Sequence, residues 1–294
     1  MKSKTFTLLL TALSLTFAAQ AQDANVSNRE HDYPYLTTLD PVAYPFEFSS
    51  SGTPYLTRFR EMFGLKGVVA KETSDLGRAR ALCEWVHFRL EHDGHKTFKS
   101  QDPFAILKAA QAGQEVQCVE YGLVLTAAFN AVGIPARPLY LKSADVQTRS
   151  SAAGHALAEA WLPDLGKWVM VDAQANIIPM LADKPLNAVE LQQALLAKND
   201  ELTVLSSTNA RAGSYFRWVN QYLFYFDTVM DNRYDVKSAR TGLMLVPVGA
   251  HKPVVFQRTE SIHNIRYTNS AATFYASPSQ SDLPTAKSAS ANGL

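Results

Sequence analysis

Residues 118–132, CVEYGLVLTAAFNAV, limit what this chain can fold into more than any other stretch. Their apolar side chains run almost all round a helical wheel, and such a helix is stable only when other elements cover every side. Gly133-Ile134-Pro135 ends it, because glycine takes the left-handed turn after a helix and proline cannot continue one. The chain must therefore build its core around a central helix, and that helix begins at Cys118. The first turn of a helix offers unpaired backbone N–H groups and the positive end of the dipole, surroundings that favour a thiolate, the nucleophilic form of cysteine.

Upstream, Leu76, Ala79, Cys83, Val86 and Leu90 recur at steps of three and four from Asp75, which predicts a helix ended by Gly94. Cys83 falls in the middle of that apolar stripe, where a thiol behaves as a small hydrophobe, so it reads as structural. Asp102-Pro103 opens a further helix with a capping carboxylate and a proline at the first turn, and Gly113 closes it. Downstream, ARPLYL reads as a strand, SADVQTRSSAAG as a polar loop, and HALAEAWL and KWVMVD as two strands joined by PDLG. Asn187 with Glu190 forms a capping-box pattern for another helix. The aromatic run at 214–226 reads as core rather than as the lining of a groove, while GLMLVPV and KPVVFQ read as late strands.

A nucleophilic thiol needs a base, and His155 heads a strand in which His155, Leu157, Glu159 and Trp161 alternate with Ala156, Ala158, Ala160 and Leu162. The small alanine face suits close packing on the central helix. If PDLG is a four-residue turn, Leu162 pairs with Lys167 and Asp172 falls opposite Leu157, on the same side of the sheet as His155. The two become diagonal neighbours, within reach for a carboxylate that orients the imidazole and stabilises its cation. Cys118, His155 and Asp172 are thus the candidate catalytic residues. The competing readings are a core cysteine or a disulfide to Cys83 for Cys118, and a structural histidine for His155. His87, His92 and His95 complete no recognised ligand set with Cys83, so neither a metal nor a cofactor is expected.

The segments QCVEYGLVLTAAFNAVGIPARPLYL and GHALAEAWLPDLGKWVMVD resemble the transglutaminase-like superfamily over roughly residues 75–180. There a Cys opens a helix running into a GIPAR-like turn, a His heads an H-A-x-x-E strand and an Asp closes a W-x-x-x-D strand. Carried over by position, these are Cys118, His155 and Asp172. The resemblance implies an α+β fold of papain-like type, a central helix starting at the nucleophile and packed on an antiparallel sheet. It also implies acyl chemistry at an amide of a protein or peptide through a thioester, as peptidase, amidase or transglutaminase; the alternative is an inactive module binding peptide or glycan in the cell envelope. GQEVQC departs from the small, Gly-rich approach common in the family, leaving Gln114, Gln117 and Trp85 as candidates for a second oxyanion donor.

Lys2 and Lys4, the apolar run at 6–17 and Ala19-Gln20-Ala21 predict a signal peptide over 1–21, cleaved between Ala21 and Gln22. That run is too short for a membrane anchor, and the expected product is a periplasmic or secreted protein. The formal net charge of +1 offers no clustered basic surface for nucleic acid. The expected organisation is an N-terminal extension over 22–74 that packs on the body, a catalytic core over 75–180, helices and strands over 181–267 completing the domain, and a disordered tail over 268–294.

Overall fold

The computed structural model describes residues 35–279, apart from 96, 97, 99 and 237–239. The expected signal peptide and residues 280–294 lie outside the described residues. Five helices precede the main sheet: α1 (Pro54–Met62), α2 (Leu65–Val69), α3 (Asp75–His87), α4 (Pro103–Gln111) and α5 (Cys118–Ala131). As its composition dictates, α5 is buried from Glu120 to Ala131. Leu56 and Phe59 of α1, Ala79 to Val86 of α3 and Ile106 and Leu107 of α4 share one apolar cluster with it. Helix α1 lies in the N-terminal extension, where Leu56, Phe59 and Phe63 at steps of three and four give it an apolar face. Helix α3 ends at His87 rather than running to Gly94, because Glu91 and Asp93 pair with Val116 instead: Val116 N–H donates to Glu91 O at 2.8 Å and Asp93 N–H to Val116 O at 2.9 Å.

The sheet has six strands: β1 (Ala136–Lys142), β2 (Gly154–Leu162), β3 (Lys167–Val171), β4 (Tyr225–Val229), β5 (Gly242–Leu245) and β6 (Ile265–Thr268). Their spatial order is β6-β5-β4-β1-β2-β3, antiparallel except for the β5–β6 pair. Leu162 pairs with Lys167 across the hairpin, the register that a four-residue PDLG turn requires. Alternation then sorts the side chains. Ala158, Ala160 and Leu162 face the α5 cluster, while Leu139, Leu141 and Leu157 join a second cluster on the opposite face with α6 (Ala188–Leu196) and α7 (Ala212–Val219). The architecture is the α+β, papain-like arrangement.

Helix α5 lies unusually close to β2. A Cβ on Gly122 would stand 2.8 Å from the backbone oxygen of Leu157, so only glycine fits there. At the far end of α5, Asn130 donates to Thr126 O and Ala136 O, both at 2.9 Å, and accepts from Ala136 N–H, which ties the helix end to the start of β1. Gly133 supplies the turn between them at φ 87°.

Residues 268–279, expected as part of a disordered tail, are instead folded onto the body. Thr268 closes β6, and α8 (Ala271–Phe274) follows with Ser270 as its cap. The reason is a cation: Arg137, fully buried and paired with Glu159 at 2.8 Å, is enclosed by the rings of Phe46, Trp168, Phe274 and Tyr275. Arg137 also donates to Phe274 O, and the Tyr275 hydroxyl donates to Glu159. A buried ion pair needs its remaining hydrogen-bonding capacity filled, and this segment fills it. Among the described residues no helix is long and apolar enough to cross a membrane.

The close approach at Gly122 yields a stability prediction. Gly122→Ala is expected to lower unfolding stability by roughly 1–3 kcal/mol, read in a denaturant titration, because neither backbone can give way without shifting α5 on the sheet.

Candidate active site

The three expected site residues meet at one end of the α5–β2 contact. Cys118 is the first residue of α5, and the chain before it is held by four hydrogen bonds. Val116 pairs with Glu91 and Asp93, Gln117 Nε2 donates to Gly94 O at 2.8 Å, and Gln117 N–H donates to Glu120 Oε2 at 2.9 Å. From within α5, the Tyr121 hydroxyl adds a bond to Leu90 O at 2.7 Å. The position of Cys118 is thereby fixed against the segment 90–94.

His155 stands at the start of β2 and is 4% exposed. Its Nε2 lies 2.8 Å from Oδ2 of Asp172, just past the end of β3. Asp172 sits in a tight turn, exchanging backbone hydrogen bonds with Ile177 at 2.9 Å in both directions. Its second carboxylate oxygen, Oδ1, accepts from Ala175 N–H at 3.1 Å. Nδ1 is the ring nitrogen that Asp172 leaves unoccupied, and the Cys118 sulfur acts on the imidazole electrostatically. Cys118 itself is half-buried and forms no disulfide.

The electrostatics follow from this stacking. Burial alone would drive the proton off His155, but the Asp172 carboxylate and the Cys118 sulfur outweigh it and push the imidazolium up to about 10. Burial likewise pushes the Asp172 carboxyl up, yet the charge and hydrogen bond of His155, the Ala175 N–H and the Tyr215 hydroxyl together hold it below the usual carboxylate range.

Two residues outside the expected set also reach the site. Tyr215, buried on α7, donates its hydroxyl to Asp172 Oδ2 at 3.0 Å. Trp218, 37% exposed, stands edge-on to the His155 ring at a centroid distance of 4.8 Å, and Tyr222 lies behind it. The aromatic run is therefore core only in part. Phe216, Val219, Leu223 and Phe226 are buried as expected, whereas Trp218 covers the imidazole. Its helical spacing from Tyr215 and Tyr222 was the available signal, but nothing in the spacing says what that face meets.

The remaining candidates go elsewhere. Cys83 is buried and unbonded to Cys118, its thiol donating to the backbone oxygen of Asp172 at 3.5 Å, and burial pushes it well above the ordinary thiol range. His87 shares that helix face and contacts Ala173 O at 3.0 Å. Trp85 is turned away from both, packed on Phe63 and under Arg89, with a buried Nε1 that has no partner. The Gln117 amide is occupied by Gly94, and Gln114 is exposed beyond α4. The Cys118 backbone N–H, in the first turn of α5, has no partner within the helix. His92 and His95 are exposed, and among the described residues no three His, Cys, Asp or Glu side chains converge as a metal site. A cavity of about 270 Å³ opens on the flank of α5 beside Tyr55, Leu123, Tyr234 and Arg240, but none of Cys118, His155 or Asp172 lines it.

Residues 65–173, from α2 to just past Asp172, match the family model described as the transglutaminase-like superfamily. This region is similar to transglutaminase-like domains. No curated protein sequence matches the chain. Among solved structures, the chain is similar to a proposed cysteine protease from Cytophaga hutchinsonii at 15% identity, covering 52% of this chain and 50% of that one, with a TM-score of 0.32. It is also similar to red sea bream transglutaminase at 16% identity, covering 65% and 33%, with a TM-score of 0.32. A proposed protease from Parabacteroides distasonis is similar at 14% identity, covering 39% and 26%, with a TM-score of 0.30. The chain spans half or less of the length of each of these proteins. The transglutaminase-like match ends at Ala173, so Tyr215 and Trp218 come from outside it.

The coupled pair predicts a pH signature in stability. His155 is raised, so its contribution is complete below the unfolded value near 6.5 and is lost as pH climbs toward about 10. Asp172 is depressed, so its contribution is complete above the unfolded value near 3.8 and is lost as pH falls below it. The Tm difference between the wild type and Asp172→Asn is expected to be widest from about pH 4 to 6.5 and to narrow toward pH 10, read by thermal melts across that range.

Proposed function

We propose that this protein is an exported cysteine enzyme that opens amide bonds of a protein or peptide through Cys118, His155 and Asp172. The observation that carries the reading is the arrangement around one imidazole: a buried carboxylate on Nε2, a half-buried Cys118 thiol acting on the ring electrostatically and Trp218 edge-on to it. The Cys118 thiolate attacks the amide carbonyl carbon, and the developing oxyanion is met by the Cys118 backbone N–H. As the C–N bond breaks, the His155 imidazolium gives its proton to the departing amine, leaving a thioester on Cys118. An incoming water then loses a proton to His155 and attacks the thioester, releasing the acid and returning thiolate and imidazolium. An amine acceptor in place of water gives transamidation by the same steps. Hydrolysis is the favoured outcome, since water is always present at a half-buried sulfur. Asp172 keeps the imidazole oriented and its cation stabilised throughout.

The alternative, an inactive module that binds peptide or glycan, would suit a Cys118 that was deeply buried or bonded to Cys83, and it is neither. Export rests on the first 21 residues, with their paired lysines, apolar run and Ala-Gln-Ala.

Cys118→Ala is expected to abolish turnover, at least a thousand-fold on the order of other lost nucleophiles, with little change in Tm. Cys83→Ala should retain activity and lose roughly 1–2 kcal/mol of stability. The assay is peptide cleavage by mass spectrometry together with ammonia release from glutaminyl peptides; equal activity in both variants contradicts the assignment.

A further inference from the structure

We propose that Tyr215 is a positioning residue of this site: by donating to the same carboxylate oxygen that holds His155, it locks the orientation of Asp172 and moderates its pull on the imidazole. The proposal rests on the Cys118–His155–Asp172 reading and adds a fourth member drawn from outside the family-matched core.

The carboxylate of Asp172 is fully buried and receives three donors from three directions: Ala175 N–H on Oδ1, and His155 Nε2 and the Tyr215 hydroxyl on Oδ2. With the first two alone, the carboxylate is held at one point on each oxygen. The third bond crosses from α7, a separate element, and resists rotation of the group away from His155. A buried phenol hydroxyl needs some partner, and a backbone oxygen would satisfy it. Here it is spent on the side chain that orients the base. The hydroxyl also draws electron density from Oδ2, leaving less for the bond to His155.

The groups facing this pair are Cys118 and Tyr121 from α5, Cys83 from α3, His92 from the segment before α4, and Tyr215 and Tyr222 from the aromatic run. Cys83 bonds the backbone oxygen of Asp172, not its carboxylate. Among the described residues, Tyr215 is therefore the side chain besides His155 that bonds the carboxylate directly. Trp218, one turn along α7, covers the ring that Asp172 orients, so both contacts depend on the seating of one helix.

The test is an NMR titration of His155 in protein carrying ¹⁵N-histidine, which reads the proton directly and needs no substrate. Tyr215→Phe removes one oxygen atom, concentrates the charge of Asp172 on His155, and should raise the His155 midpoint by roughly half to one pH unit. The alkaline limb of kcat/KM should move with it, while kcat falls about ten-fold and KM stays unchanged. Placing 3-fluorotyrosine at position 215 keeps the ring contacts and makes the hydroxyl a stronger donor, so the midpoint should fall. That second substitution also decides the matter if Tyr215→Phe does not fold. A midpoint that stays put in both overturns the proposal, even where Tyr215→Phe lowers Tm. The reading beneath it is separated by Cys118→Ala. If that variant turns over substrate like the wild type, the Cys118 assignment fails and Tyr215 has no catalytic pair to position; if it is inactive while the His155 midpoint stays put, Tyr215 alone is misassigned.

Discussion

The close contact between α5 and β2 at Gly122 is the constraint on which the rest of the site depends. With no side chain there, the helix comes down onto the Leu157 backbone, and the alanines at 156, 158 and 160 keep that face of the strand low. The helix brings Cys118 to the place where β2 begins, and β2 begins with His155. A helix held farther out would leave the thiol short of the imidazole whatever the residues were. The pairing of Val116 with the segment 91–93, and of Asn130 with Ala136, then fixes the two ends of α5 so that it cannot slide along the sheet.

The second dependency is electrical. An imidazolium buried to 4% exposure is stable only beside an anion, and an ionised Asp172 in the interior is stable only with its donors. Each charge needs the other, and both need the cover provided by α7. The same logic operates farther along the β1–β2 pair, where Arg137 and Glu159 are wholly buried and draw the segment 270–276 across themselves. Two buried ion pairs thus recruit chain from outside the transglutaminase-like region, one by a tyrosine hydroxyl on a carboxylate and the other by an aromatic enclosure.

Much of this was legible in the sequence because it follows from local rules. The all-round apolar run made α5, the GIP stop ended it, and the four-residue PDLG turn set a register that carries Asp172 to the level of Leu157 and into reach of His155. What failed to show was whatever depends on distant chain. The tail from Thr268 has too few apolar residues to predict order by composition, and its order comes from Arg137, more than 130 positions away. Helix α3 was read too long because periodicity through Leu90 could not reveal that the next residues pair with Val116. Tyr215 and Trp218 looked like core for the same reason: a stripe shows that a face is covered, not that the cover is an imidazole and a carboxylate.

The central claim of the proposal is that Cys118 is the reactive thiol beside His155 and Cys83 an inert thiol in the core. The most direct measurement is a brief iodoacetamide pulse on the mature, unreduced protein, followed by peptide mapping of the label, because alkylation reports both thiolate character and access. The account predicts rapid labelling confined to Cys118, with Cys83 untouched until the protein is unfolded. Absence of label, with Cys83 and Cys118 recovered as one linked pair of peptides, would contradict it.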